Sequence, residues 1–91
     1  MKPRDDLARQ GNEELRDFLN AELQIAQTLI DSAQRRFEMG HRGASDQGLS
    51  LAAYALGSVD RYVDRLPIEE ASKFREAAAG LRHKIDSLRN T

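Results

Sequence analysis

Residues 69–89, EEASKFREAAAGLRHKIDSLR, carry the most regular hydrophobic pattern in this chain. The apolar positions alternate steps of three and four residues, which is the spacing of one face of a helix. The members of this face are Ala71, Phe74, Ala78, Leu81, Ile85 and Leu88. Acidic residues stand at its start, near the positive end of the helix dipole, and basic residues stand near its negative end, so both are stabilised by the dipole. The pattern predicts a helix over residues 68–90.

Upstream, residues 12–39 show a second apolar face. Asn12 is a suitable N-cap for this helix, and Gly40 is a suitable residue to follow its end. The face consists of Leu19, Leu23, Ala26, Ile30, Ala33 and Phe37. We therefore predict a long first helix over this range.

Between these two helices, residues 42–66 are predicted to form another helix that ends before Pro67. Its apolar positions are Ala52, Ala55, Val59, Tyr62 and Leu66, flanked by Leu49, Leu56 and Val63. Small residues such as Gly48 and Gly57 have little or no side chain, so we predict that another helix of the bundle packs close to this helix there. Glycine in a helix interior costs about 1 kcal/mol relative to alanine.

Together the three helices predict an all-α fold, an antiparallel up-down-up three-helix bundle, because short connections force neighbouring helices to be antiparallel. The predicted domain covers residues 12–91. Residues 1–11 are polar and lack periodicity, so we predict a mobile N-terminal arm, with at most a helical turn over residues 5–10.

Composition narrows the range of partners. The chain has 91 residues, 32% of them charged, with a net charge of −1 and no cysteine. A balanced charge does not favour nucleic acid or an anionic membrane as a partner. The start of the chain has no apolar run typical of a secretory signal, and no segment is long enough to span a membrane. The expected location is the cytoplasm.

No catalytic or cofactor-binding residue is predicted, and the chain is not expected to be an enzyme. Glu38 and His41 have the Glu-x-x-His spacing of di-iron bundles, but those sites need a second such pair. His83 stands beside the face of the third helix and is predicted to be a surface residue near a helix end. A small-ligand or metal-binding bundle that uses Glu38 and His41 is the alternative hypothesis.

The first helix carries a second apolar stripe, which suggests a protein interface. Leu15 and Leu29 could still flank the core, whereas Phe18 and Ile25 should point further outward. A protein partner or a second copy of the chain would cover the stripe. Alternatively, the third helix or Leu7 covers it internally.

Tyr54 is a second candidate for an interface residue. It stands outside the apolar face of its helix, where a tyrosine can anchor a partner or stack on Arg61. An isolated surface tyrosine is the simpler interpretation. The predicted interface residues are therefore Leu15, Phe18, Ile25 and Tyr54.

Residues 33–66 resemble a helical hairpin of the tetratricopeptide-like kind. The aromatic residue, the turn glycine and the following alanine of that pattern are matched by Phe37, Gly40 and Ala44. With the third helix added, the chain is similar to the three-helix microtubule-interacting-and-trafficking domain. It departs from the repeat pattern at Gly48, where a bulky residue is usual, and in the length of the second helix. The resemblance implies binding of a peptide or a partner helix in a groove between helices.

Overall fold

Three α-helices make up the architecture. The structure, a computed structural model, describes the backbone of residues 3–90 and the side chains of residues 12–90. The helices are α1 (Pro3–Glu38), α2 (Arg42–Tyr62) and α3 (Ile68–Arg89), and a 3₁₀ turn (Val63–Arg65) follows α2. No strand occurs in the range 3–90. The predicted all-α three-helix fold is confirmed.

Helix α1 begins at Pro3, so the predicted start at Asn12 is wrong. Proline suits the first turn of a helix, because an amide hydrogen there would have no intrahelical acceptor. Gly11 costs about 1 kcal/mol in a helix interior, which does not suffice to end a long helix. The predicted mobility of residues 1–11 is not tested by the structure, and their side chains lie outside the described residues.

The turn between α1 and α2 has a glycine-dependent geometry. Gly40 has φ +84°, a left-handed conformation that a residue with a Cβ atom adopts only at a cost. Its amide donates to the carbonyl of Phe37 at 3.0 Å, and the amide of His41 donates to the carbonyl of Arg36 at 2.8 Å. These two hydrogen bonds are those of a Schellman motif, in which glycine stands just past the helix end. The predicted role of Gly40 is confirmed.

Gly40 and Gly57 give a matched pair of alanine substitutions with opposite expected signs. Gly40→Ala should lower the free energy of unfolding by about 1 kcal/mol, because alanine is strained at a positive φ. Gly57→Ala should raise it by about 0.5–1 kcal/mol, since an added Cβ there meets no atom within 4 Å. Urea unfolding followed by circular dichroism measures both changes. Equal shifts in one direction would contradict this account of the turn.

The second turn is made by the residues around Pro67. The amide of Leu66 donates to the carbonyl of Val63 at 3.0 Å, and Leu66 itself has extended backbone. A residue before proline is pushed out of the helical region, which explains why α2 tightens and stops there. The helical conformation ends one residue before the predicted end at Leu66, and its last turn is 3₁₀ rather than α.

The core lies where the three predicted apolar faces meet. The buried hydrophobic side chains are Leu19, Ala26, Ile30, Ala33, Leu49, Ala52, Ala55, Leu56, Val59, Val63, Leu66, Ala71, Ala78, Leu81 and Ile85. Four further members of the predicted faces are only partly buried against this cluster, namely Leu23, Tyr62, Phe74 and Leu88. A bundle of three helices is too thin to enclose every large side chain of its apolar faces.

Helices α1 and α2 approach each other closely at Gly48. A Cβ atom built on Gly48 would lie 3.4 Å from the Cβ of Ala33 and 3.5 Å from the carbonyl oxygen of Leu29. The predicted use of small residues inside the bundle is correct here. It is wrong for Gly57, where an added Cβ would meet no atom within 4 Å.

Helix α3 is joined to the α1–α2 hairpin by polar pairs along its margins. Arg16 on α1 binds Glu70 through two hydrogen bonds, of 2.9 and 2.8 Å. The other pairs are Arg75–Asp64, Arg82–Asp60 and Arg89–Asp46. Exposed ion pairs of this kind add little stability each, so the packing of α3 depends mainly on its buried residues Ala71, Ala78, Leu81 and Ile85.

Candidate protein interface on the first helix

Phe18 and Ile25 form an exposed apolar stripe along α1. Phe18 is 40% exposed and Ile25 is 49% exposed. Seven residues separate them, which is about two helical turns, so the two side chains lie one above the other on the same face. The sequence prediction that these two residues point away from the core agrees with their exposure.

Tyr62 of α2 supports this stripe from the side. Its ring lies 5.7 Å from the ring of Phe18 at an angle of 85°, an edge-to-face contact. The guanidinium of Arg65 lies over the Tyr62 ring, 5.0 Å from its centre. Edge-to-face aromatic pairs and cation–π contacts are each favourable by about 0.5–1.5 kcal/mol. The contact with Tyr62 therefore favours the observed position of the Phe18 ring, although much of the ring is exposed.

Helix α3 does not cover the stripe. It packs along another side of α1, where Arg16 binds Glu70 and Lys84 approaches Gln27 at 3.5 Å. The stripe instead borders α2, through the contact between Phe18 and Tyr62. The alternative that α3 covers it is therefore wrong. The other alternative concerned Leu7, whose side chain lies outside the described residues.

Leu15 and Leu29 belong to the core margin rather than to the open surface. Both are partly buried and pack against the buried cluster. Leu29 also adjoins the close contact between the helices, since its carbonyl oxygen lies 3.5 Å from a Cβ built on Gly48. Leu15 therefore has less apolar surface available to a partner than predicted, because part of its side chain is buried against the core.

Tyr54 lies on α2, away from the stripe. It is 77% exposed, and Leu51, which the sequence prediction omitted, is 59% exposed. Both line a shallow depression on the surface of α2. In residues 12–90 no cation lies over the Tyr54 ring, so the predicted stacking on Arg61 is wrong; the observed cations are Arg65 over Tyr62 and Arg42 over Phe37. With Leu51 one turn away, Tyr54 is not an isolated surface tyrosine, and the two residues form a second small apolar patch on α2, outside the stripe.

The charges that flank the stripe differ from those that face α3. Glu14 stands one turn before Phe18, and Arg36 stands three turns after Ile25 on the same face. Among the described side chains, neither Glu14 nor Arg36 has an ion-pair partner within 4.0 Å, and the same holds for Asp17 and Arg35. Charged residues on α3, among them Glu69, Lys73 and Glu76, also lack an ion pair in the described part of the chain, so unpaired charge is not confined to the stripe.

A groove between α1 and α3, about 330 Å³ in volume, is lined by Arg16, Leu23, Glu70 and Phe74. The hydrogen bond to Glu70 is the main cause that raises the pKa of the Arg16 guanidinium above its ordinary value. This pair was not predicted from the sequence, although both residues stand beside the predicted apolar faces. Because Arg16 and Glu70 bind each other, they are satisfied without a ligand.

The structure gives no support to a metal site at Glu38 and His41. Glu38 is the last residue of α1, and His41 follows Gly40 in the turn; both are exposed. Within the described part of the chain, no three histidine, aspartate or glutamate side chains lie close enough together to hold a metal ion. His83 is exposed, as predicted for a surface residue near the end of α3.

Comparison of the chain with protein-family models, with curated proteins and with solved structures gave no match in any of the three. The resemblance to tetratricopeptide-like hairpins and to the microtubule-interacting-and-trafficking domain therefore stays a prediction. None of the helices in residues 3–90 has the length and apolar content needed to cross a membrane.

Proposed function

We propose that this chain is a non-enzymatic helical interaction module that binds a helix along the α1 stripe. The observation that carries the proposal is the pair of exposed apolar side chains, Phe18 and Ile25, spaced by two turns on one face. Exposed apolar residues in a row, unlike single scattered ones, are typical of protein interfaces. The cytoplasm is the proposed location, and nucleic acid is not among the proposed partners.

The surroundings of the stripe suit a partner helix. Phe18 contacts Tyr62, which favours one position of its ring and lowers the entropy cost when a partner covers it. Ala21 and Thr28, on the same side of α1, are exposed and small, and small side chains let a second helix approach closely. A partner helix with apolar residues at helical spacing would fit this surface, as in other helix-in-groove complexes.

The proposal is tested by selecting helical peptides from a displayed library of amphipathic sequences against the wild-type chain. The selected peptides should bind Phe18→Glu at least about tenfold more weakly, since a buried charge without a partner opposes binding. Circular dichroism should show unchanged helicity for this variant, because Phe18 is only partly buried.

Tyr54→Glu is the matched control, since it places the same charge at an exposed aromatic residue outside the stripe. It should bind the selected peptides as the wild type does. The proposal is wrong if the selection yields no binder, or if the binders do not distinguish Phe18→Glu from Tyr54→Glu.

A further inference from the structure

We propose that the occupant of the α1 stripe is a second copy of this chain, with the two α1 helices antiparallel about a two-fold axis at Ile25. The inference rests on the proposed function and names the partner. It is carried by the positions and charges of five α1 residues: Glu14, Phe18, Ile25, Ser32 and Arg36.

These residues are placed symmetrically about Ile25. Glu14 and Arg36 each lie eleven residues from Ile25, and Phe18 and Ser32 each lie seven residues from it. Seven and eleven residues are close to two and three full turns, so all five share one face of α1. When two such helices run antiparallel with Ile25 on the axis, Glu14 of one copy faces Arg36 of the other, and Phe18 faces Ser32.

Side-chain size is complementary in this register. Phe18 faces the small Ser32, since each lies seven residues from Ile25. Large residues opposite small ones let two helices interdigitate at an axial separation of about 8–10 Å. The two copies of Ile25 meet at the centre, so the apolar contact is continuous from one Phe18 to the other.

Charge complementarity selects both the antiparallel orientation and a second copy as the partner. The acidic Glu14 and Asp17 lie at one end of the stripe, and the basic Arg35 and Arg36 lie at the other. All four are without an ion-pair partner in the described chain. An antiparallel copy places opposite charges together at both ends, whereas a parallel copy would place like charges together.

The seam is long enough for a weak dimer. Glu14 and Arg36 are twenty-two residues apart, which corresponds to about 33 Å along the helix. Each copy presents the same surface patch, so the contact closes on itself and does not continue into a fibre. A single helix pair of this length makes a small interface, so we expect a weak dimer whose population depends on protein concentration.

The first test is light scattering after size exclusion over a range of protein concentrations. Wild type should shift from monomer to dimer, and Glu14→Arg should dimerise about tenfold more weakly, because two ion pairs become two repulsions. Arg36→Glu should show the same loss. The double variant Glu14→Arg, Arg36→Glu should recover the wild-type dissociation constant, since both pairs are restored with reversed sign.

The second test uses cysteine cross-linking, for which the chain is suited because it has no cysteine. Ile25→Cys should form a disulfide dimer under mild oxidation, since both copies place this residue on the axis. Tyr54→Cys is the control on an exposed residue outside the stripe and should remain largely uncross-linked. A mixture of Glu14→Cys and Arg36→Cys chains should form the mixed dimer in preference to either homodimer.

The outcomes separate this inference from the proposed function. A monomer up to about 1 mM, a concentration at which even weak complexes form, would overturn the inference, as would Glu14→Cys homodimers without mixed dimers. The proposed function would survive either result if the selected peptides still distinguish Phe18→Glu from Tyr54→Glu. Dimerisation that Glu14→Arg weakens and the double variant recovers would support the inference.

Discussion

Leu56→Ala is expected to lower the free energy of unfolding by about 2–5 kcal/mol, the range for leucine truncation in a close-packed core. Leu56 is 0% exposed and lies inside the buried cluster that joins the three helices. A domain of this size is stable by only about 5–15 kcal/mol, so the loss is a large share of the total. Urea unfolding followed by circular dichroism measures it, with a melting temperature lower by about 10 °C or more.

Leu51→Ala is the matched control, because it removes the same atoms from the same helix at a residue that is 59% exposed. Its expected effect is within about 0.5 kcal/mol, as for other surface substitutions. A comparable loss in both variants would show that the Leu51 side chain is buried as well, since alanine has a higher helix propensity than leucine. The assignment of the core to the face of Leu56 would then be wrong.

Helices α2 and α3 could be predicted because each has a strong terminal signal in addition to its apolar period. Gly40 marks the turn before α2, Pro67 marks the turn before α3, and both act through backbone geometry. Such signals do not depend on tertiary contacts. This is why the structure reproduces the predicted limits of these helices to within a few residues.

The beginning of α1 could not be predicted in the same way. Asn12 is a good cap and Gly11 a poor helix residue, and both suggested a start there. The helix continues through Gly11 and Asn12 despite their low helix propensity, because extending an existing helix costs far less free energy than nucleating a new one. Pro3 is the residue at which the described helix begins.

Two of the four predicted interface residues, Phe18 and Ile25, form the stripe, whereas Leu15 packs against the core and Tyr54 lies on α2. The spacing of Phe18 and Ile25 relative to the core face indicated exposure, and both are exposed. Sequence periodicity indicates which face of α1 is apolar, but it does not indicate on which sides of α1 the helices α2 and α3 pack. The contact with Tyr62 and the separation from α3 therefore needed the structure.

The hairpin of α1 and α2 connects stability with the proposed function. The stripe lies on α1, and the Phe18 ring contacts the ring of Tyr62 on α2. That contact depends on the distance between the two helices, which Gly48 sets near their other end. Substitutions at Gly48 should therefore act on folding and on association together.

Gly48→Leu is expected to destabilise the fold by about 1–3 kcal/mol, the usual cost of forcing extra atoms into a packed contact. A Cβ atom at this position already lies 3.4 Å from the Cβ of Ala33 and 3.5 Å from the Leu29 carbonyl oxygen, so it just fits. The atoms of leucine beyond Cβ have no room without displacing the α1 backbone. Thermal unfolding and the dimer dissociation constant would both be measured.

Gly48→Ala is the control that separates crowding from helix propensity. Alanine favours a helix over glycine by about 1 kcal/mol, and its one added atom remains at the limit of ordinary contact with Ala33. We therefore expect Gly48→Ala to be as stable as the wild type or slightly more so, whereas Gly48→Leu loses stability and association. If leucine were also tolerated, α1 and α2 could separate without cost, and the stripe would not depend on the hairpin for its shape.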